Sequence, residues 1–195
     1  MRITAVLAIS VAVTGCAWSD PGVRSAPRPS DAHLIICMTF GADVPRLTGA
    51  DKLAQQMLAE IGVETEWPQR GNTCTKGGDI VITLSYQTPE SRSPGAFAYA
   101  LPYEGRHIVV FCDRIQRKVS SALAAILLAH VLVHEITHIL QGVSRHSETG
   151  VMKAAWNADD YFQMGKKPLE FTGEDVNLIY LGIAARSRAQ LSPAK

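Results

Sequence analysis

His134-Glu135-Ile136-Thr137-His138-Ile139-Leu140-Gln141-Gly142-Val143-Ser144-Arg145-His146 is the stretch on which the reading of this chain turns. Its first five residues form an HExxH pattern inside a run, residues 122–140, that is apolar nearly all the way round. A helix apolar on every side belongs inside a protein. A membrane span is the competing reading, and His130, His134, Glu135 and His138 interrupt it. Four residues of helix rise about 6 Å and turn about 40° beyond a full circle, so the imidazoles of His134 and His138 face the same way. Two histidines and an ionisable carboxylate in so apolar a helix need partners. Two imidazoles at this spacing suit one Zn2+ at about 2.0–2.1 Å each. Glu135 stands about 100° round the helix from His134. From there it is expected to act as the catalytic base, taking a proton from a zinc-bound water and passing it to a leaving amine.

A catalytic zinc takes a third protein ligand and keeps a fourth position open. The helix is expected to end at Gly142, and a chain leaving through a glycine can turn back towards the face it has just left. His146 is therefore the expected third ligand, with Ser147-Glu148-Thr149-Gly150-Val151-Met152 following it. His130 lies four residues before His134, but one helix cannot readily bring three successive turns onto a tetrahedral ion. It is expected to be a hydrogen-bonded core histidine or a support for the ligands.

HEITHILQGVSRHSETGVM, residues 134–152, resembles the metzincin pattern HExxHxxGxxH followed by a methionine turn. It most resembles the matrixin-like branch, in which His-Ser precedes that turn. The resemblance implies a zincin-like α+β fold: a mixed twisted sheet of about five strands, a buried active-site helix and a C-terminal helix. It also implies zinc-dependent endopeptidase activity, with Met152 as an apolar floor beneath the metal. Residues 97–101 would then be an antiparallel edge strand against which an extended substrate pairs. The spacing departs from the family pattern. The glycine follows the second histidine by four residues rather than three, and His146 follows it by eight rather than six. Either another half turn of helix and a wider loop absorb the difference, or the third ligand is a carboxylate on a later helix, as in gluzincins. Glu174 is the best-placed candidate for that role.

Upstream, residues 34–40 form a β-rich apolar run expected to be a buried strand. Thr48 with Asp51 resembles a capping box. Ala50, Leu53, Ala54, Met57, Leu58 and Ile61 then recur at helical spacing up to Gly62. Strands are expected at residues 63–67, 79–85, 97–101 and 107–112, with residues 68–78 and 87–94 as loops. Pro102 favours a sheet edge for the strand before it. Downstream, Thr172 with Asp175 opens a final helix to about residue 188 that buries Val176, Ile179, Tyr180 and Ile183. Trp156, Tyr99 and Tyr161 are expected to pack, and Glu148, Asp159 and Asp160 to be solvated, because no repeated oxygen-ligand spacing suggests calcium.

Residues 1–15 carry one charge, Arg2, then an apolar stretch and Thr14-Gly15-Cys16. This is the layout of a signal peptide, and Val13-Thr14-Gly15-Cys16 resembles the lipobox of bacterial lipoproteins, in which the cysteine is lipidated. Residues 16–30, rich in proline and serine, read as a tether, and residues 31–195 as one catalytic domain. Among Cys37, Cys74 and Cys112 the sequence leaves any disulfide pairing open. The 195 residues carry a net charge of +1, which excludes nucleic-acid binding by bulk electrostatics. The combined expectation is an exported zinc metallopeptidase that acts on a peptide or protein substrate as a monomer. It would be a cell-envelope lipoprotein (periplasmic or outer-membrane side) or secreted. The rival readings are a zinc-stabilised non-catalytic binding lipoprotein and a non-peptide zinc hydrolase. The retained Glu135 argues against a purely structural site, which would not need it.

Overall fold

A computed structural model describes residues 33–40, 49–68 and 80–191. The expected signal peptide, Cys16, the tether, Thr48 and Cys74 lie outside the described residues, as does nearly all of the 68–78 loop. The described elements are β1 (His33–Phe40), α1 (Ala50–Glu60), β2 (Glu64–Glu66), β3 (Ile80–Ser85), β4 (Ala98–Ala100), β5 (His107–Phe111), α2 (Cys112–Lys118), α3 (Ser121–Gln141), α4 (Ala158–Met164) and α5 (Gly173–Leu191).

The five strands form one mixed sheet in the order β2-β1-β3-β5-β4. The first four run parallel: Ile35 lies opposite Glu66, Ile36 opposite Ile80, and Val81 opposite His107. β4 is antiparallel to β5, with Ala98 opposite Val110, and forms one edge of the sheet. Ile80, Ile82 and Leu84 of β3 are buried, the period-two signature read from sequence. The α+β architecture, mixed sheet and C-terminal helix are those the sequence led one to expect.

Helix α3 is the axis of the core. Every residue from Leu127 to Gln141 is buried, and the helix packs against α1, α2, α5, β4 and β5. It is long and apolar enough to cross a membrane, with mean hydropathy 1.8, but 83% of its most apolar window is covered by the rest of the chain. Protein, rather than lipid, covers it. At α5, Thr172 and Asp175 exchange hydrogen bonds as a capping box, with Thr172 N–H donating to Asp175 Oδ2 at 3.1 Å and Asp175 N–H to Thr172 Oγ1 at 3.2 Å.

Two helices were not legible in the sequence. α2 starts at Cys112, which the apolar run 107–112 assigns to a strand, so β5 ends one residue earlier. α4 is opened by an Asn157–Asp160 capping box. Asp160 also pairs with Lys153 at 2.6 Å, so it is a capping and ion-pairing residue rather than simply solvated. Both helices are seven residues long, too short for a hydrophobic period to declare itself. The Asn-x-x-Asp spacing was the available signal for α4. Cys37 is disulfide-bonded, and Cys112 is a buried free thiol.

Candidate metal centre

The ligand-capable nitrogens of His134, His138 and His146 all lie within 4.8 Å of one another. The first two project from consecutive turns of α3, and their Nε2 atoms are 3.1 Å apart. His134 Nδ1 lies 2.9 Å from the Val151 carbonyl and His138 Nδ1 lies 3.1 Å from the Val143 carbonyl. A carbonyl oxygen only accepts, so each Nδ1 carries the ring proton and each Nε2 presents a lone pair. Two lone pairs facing each other at this distance repel unless a cation lies between them. Two nitrogens at about 2.0–2.1 Å from a tetrahedral Zn2+ would sit about 3.3 Å apart, so the donor set fits the ion.

All three imidazoles are shifted towards the neutral form, the one able to bind a metal. Burial pushes His134 down to about 4, reinforced by the neighbouring His138. Burial likewise lowers His138 and His146.

His146 reaches the cluster because the chain reverses after α3. Gly142 takes the left-handed conformation (φ 69°) and donates its N–H to the His138 carbonyl at 3.0 Å, closing the helix where the sequence predicts. The His146 ring centroid is then 5.2 Å from that of His134 and 4.9 Å from that of His138. Glu174, the competing candidate, lies outside the cluster and is ion-paired with Arg145.

The segment after His146 doubles back, and its Val151 carbonyl is the partner of His134 Nδ1. Ser147 N–H donates to the Met152 carbonyl at 2.9 Å, Val151 N–H donates to the Glu170 carbonyl at 3.0 Å, and Met152 is fully buried. Gly150 makes this turn with φ 76°, and a Cβ there would lie 2.2 Å from the Glu170 carbonyl oxygen.

Glu135 is 8% exposed. Burial pushes its carboxyl up to about 8, opposed by a hydrogen bond from the Ala100 backbone of β4. It opens with the three histidines onto a cleft of about 960 Å³, bounded by β4 on one side and by Trp156 and Tyr161 on another. Trp156 stands edge-on to His134 at 5.6 Å, so this residue, expected only to pack, also walls the cleft. Tyr99 lines it as well.

His130 has no place in the cluster. It is fully buried, with Nδ1 2.8 Å from the Ile126 carbonyl and Nε2 accepting from Leu169 N–H at 3.1 Å. His33 and His107 are half exposed beside Glu66 and Glu104.

A zincin-like α+β fold with a three-histidine cluster, two on its buried helix and one on the loop after it, is the class to which these observations lead. No protein-family pattern and no curated protein matches the sequence. Among solved structures, the chain is similar to archaemetzincin from Methanopyrus kandleri, with 18% identity and a TM-score of 0.52 over 81% of this chain and 98% of that one. Archaemetzincin from Archaeoglobus fulgidus, solved with malonate, gives 15% identity and a TM-score of 0.48 over 75% and 99%. At such identity, the likeness to the first is one of fold.

Proposed function

We propose that this protein is a zinc-dependent metallopeptidase that hydrolyses peptide bonds. The observation that carries the reading is the convergence of His134, His138 and His146 beside Glu135 at the floor of an open cleft. His134, His138 and His146 would hold the ion. When bound, Zn2+ supplies a Lewis acid that acidifies water and polarises a carbonyl. Glu135 supplies the proton acceptor: its carboxylate takes a proton from the attacking water and delivers it to the leaving amine. A cation beside this buried carboxyl favours its ionised form, the one a base needs. Met152, fully buried, would form the apolar floor beneath the metal in this reading. The matrixin-like His-Ser followed by a methionine turn belongs to this reading, as does endopeptidase action on an extended peptide laid along β4.

The cleft favours an enzyme over a zinc-stabilised binding module, because structural zinc sites close their fourth position. The reading extends to export to the cell envelope, with lipidation at Cys16 or secretion, on the strength of residues 1–16 of the sequence. Mass spectrometry of the mature N-terminus tests the export reading. Metal analysis of the purified protein together with digestion of a peptide library tests the activity. One zinc per chain with cleavage that stops in Glu135→Ala is the expected result. Zinc without cleavage of any peptide would favour the binding module.

A further inference from the structure

The ring of His146 makes no hydrogen bond among the described residues, whereas His134 and His138 are each oriented by a backbone carbonyl. Histidine ligands ordinarily owe their orientation to such a partner. What holds His146 must therefore act through the chain on either side of it. Both sequence neighbours are tied to one carboxylate. Arg145 Nη1 donates to Asp175 Oδ1 at 3.0 Å, and Ser147 Oγ donates to the same oxygen at 2.6 Å. The other oxygen, Oδ2, accepts from Thr172 N–H at 3.1 Å and from Thr172 Oγ1 at 2.6 Å. The Asp175 carbonyl in turn accepts from the Nε2 of Gln141, the last residue of α3, at 3.3 Å. Asp175 has no exposed surface.

We infer that Asp175 is the positioning residue for His146, which it brackets through Arg145 and Ser147. The inference rests on the zinc reading proposed above. It accounts for the long spacing between the second and third histidines. Of the two residues added relative to the family pattern, one falls before Gly142 and one in the loop between Gly142 and His146, which carries no secondary structure of its own through Arg145. A flexible loop of that kind would deliver a ligand with a large ordering cost. Two charge-assisted hydrogen bonds from the loop to a buried carboxylate, itself anchored by Thr172 at the N-terminus of α5 and joined to the end of α3, remove that freedom before any metal arrives. Asp175 thus sets where the third imidazole stands relative to the pair on α3, without touching the ion or a substrate.

The test is zinc affinity of the full chain, measured by competition with a chromophoric chelator, with Co2+ substitution as a spectroscopic reading of the ligand set. Asp175→Asn keeps the shape and removes the charge. It is expected to weaken zinc binding about 10–100-fold and to reduce the intense visible bands of four-coordinate Co2+. Metal-free circular dichroism should remain that of the wild type. If Asp175→Asn does not fold, Ser147→Ala decides the matter. It removes one of the two bracketing bonds and should weaken zinc about 3–10-fold, in line with the net contribution of one ordinary hydrogen bond. Wild-type affinity and an unchanged Co2+ spectrum in a folded variant, with His146→Ala still impaired, would overturn the positioning role and leave the zinc reading intact. A wild-type chain that takes up no zinc would overturn both.

Discussion

Gly182 of α5 lies so close to the carbonyl of Leu140 on α3 that a Cβ added to the glycine would stand 1.7 Å from that oxygen. The contact is backbone on backbone, two residues beyond His138. No rotamer change can relieve a methyl group placed there. The two helices must therefore separate in Gly182→Ala. Overpacking of this kind costs about 1–3 kcal/mol, and it would move the N-terminus of α5, with Asp175, away from the loop that carries His146. The expected result is a lower urea midpoint together with weaker zinc binding. A midpoint equal to the wild type would show that the helices are not locked at this crossing.

Glu135→Gln preserves the size of the side chain and removes its ability to accept a proton. Zinc content should stay at one per chain while peptide hydrolysis falls by about 10²–10⁴-fold, the usual contribution of a positioned general base. Hydrolysis at an undiminished rate would assign the base elsewhere.

His146→Ala leaves two imidazoles on α3. Equilibrium dialysis should show zinc held much more weakly, with turnover lost in parallel. Retention of wild-type affinity would move the third ligand off His146. The Arg145–Glu174 ion pair already argues against the principal alternative.

The acid stability of the protein should carry the signature of Asp175. Burial pushes its carboxyl up, but hydrogen bonds from Ser147, Thr172 and Arg145 outweigh burial and hold it below its ordinary value of 3.8. A depressed folded value means that the unfolded chain binds the proton more readily. The stabilisation is then complete above about pH 5, begins to fall near the unfolded value and is lost as pH drops through the folded one. Urea midpoints measured from pH 6 to pH 2 should drop along this acid limb in the wild type and drop less in Asp175→Asn. Parallel curves would deny the carboxylate this role.

Cys112 should be inert. It has no exposed surface, and burial pushes its thiol up to about 11, aided by the negative charge of Asp113. Thiolate is the reactive form, so iodoacetamide at pH 8 should leave Cys112 unmodified in native protein and alkylate it in urea, as peptide mass spectrometry can resolve. Rapid labelling of the native chain would mean that the base of α2 opens readily.

Much of this molecule is written locally. The run of residues 122–140 is apolar on every side, and only burial in a core satisfies such a helix. His134, Glu135 and His138 share that helix at spacings that fix their relative directions whatever surrounds them. Gly62 and Gly142 end their helices because left-handed φ is cheap for glycine, and the alternation in β3 declares its buried face. The chain order of strands and long helices follows from these patterns.

The third ligand was different. Sequence alone left His146 and Glu174 both open, because a loop without periodicity does not say where it turns. Tertiary structure brings His146, and not Glu174, to the pair on α3. α5 approaches α3 at Gly182, Asp175 comes within reach of Arg145 and Ser147, and Glu174 is taken up by Arg145. The same holds for the order of the sheet, the two seven-residue helices and the cleft walled by Trp156. Periodicity and spacing report what one segment needs from its surroundings. Which distant segment meets that need depends on contacts between residues some 30 positions apart or more, such as Arg145 and Asp175, and these exist only once the core has packed.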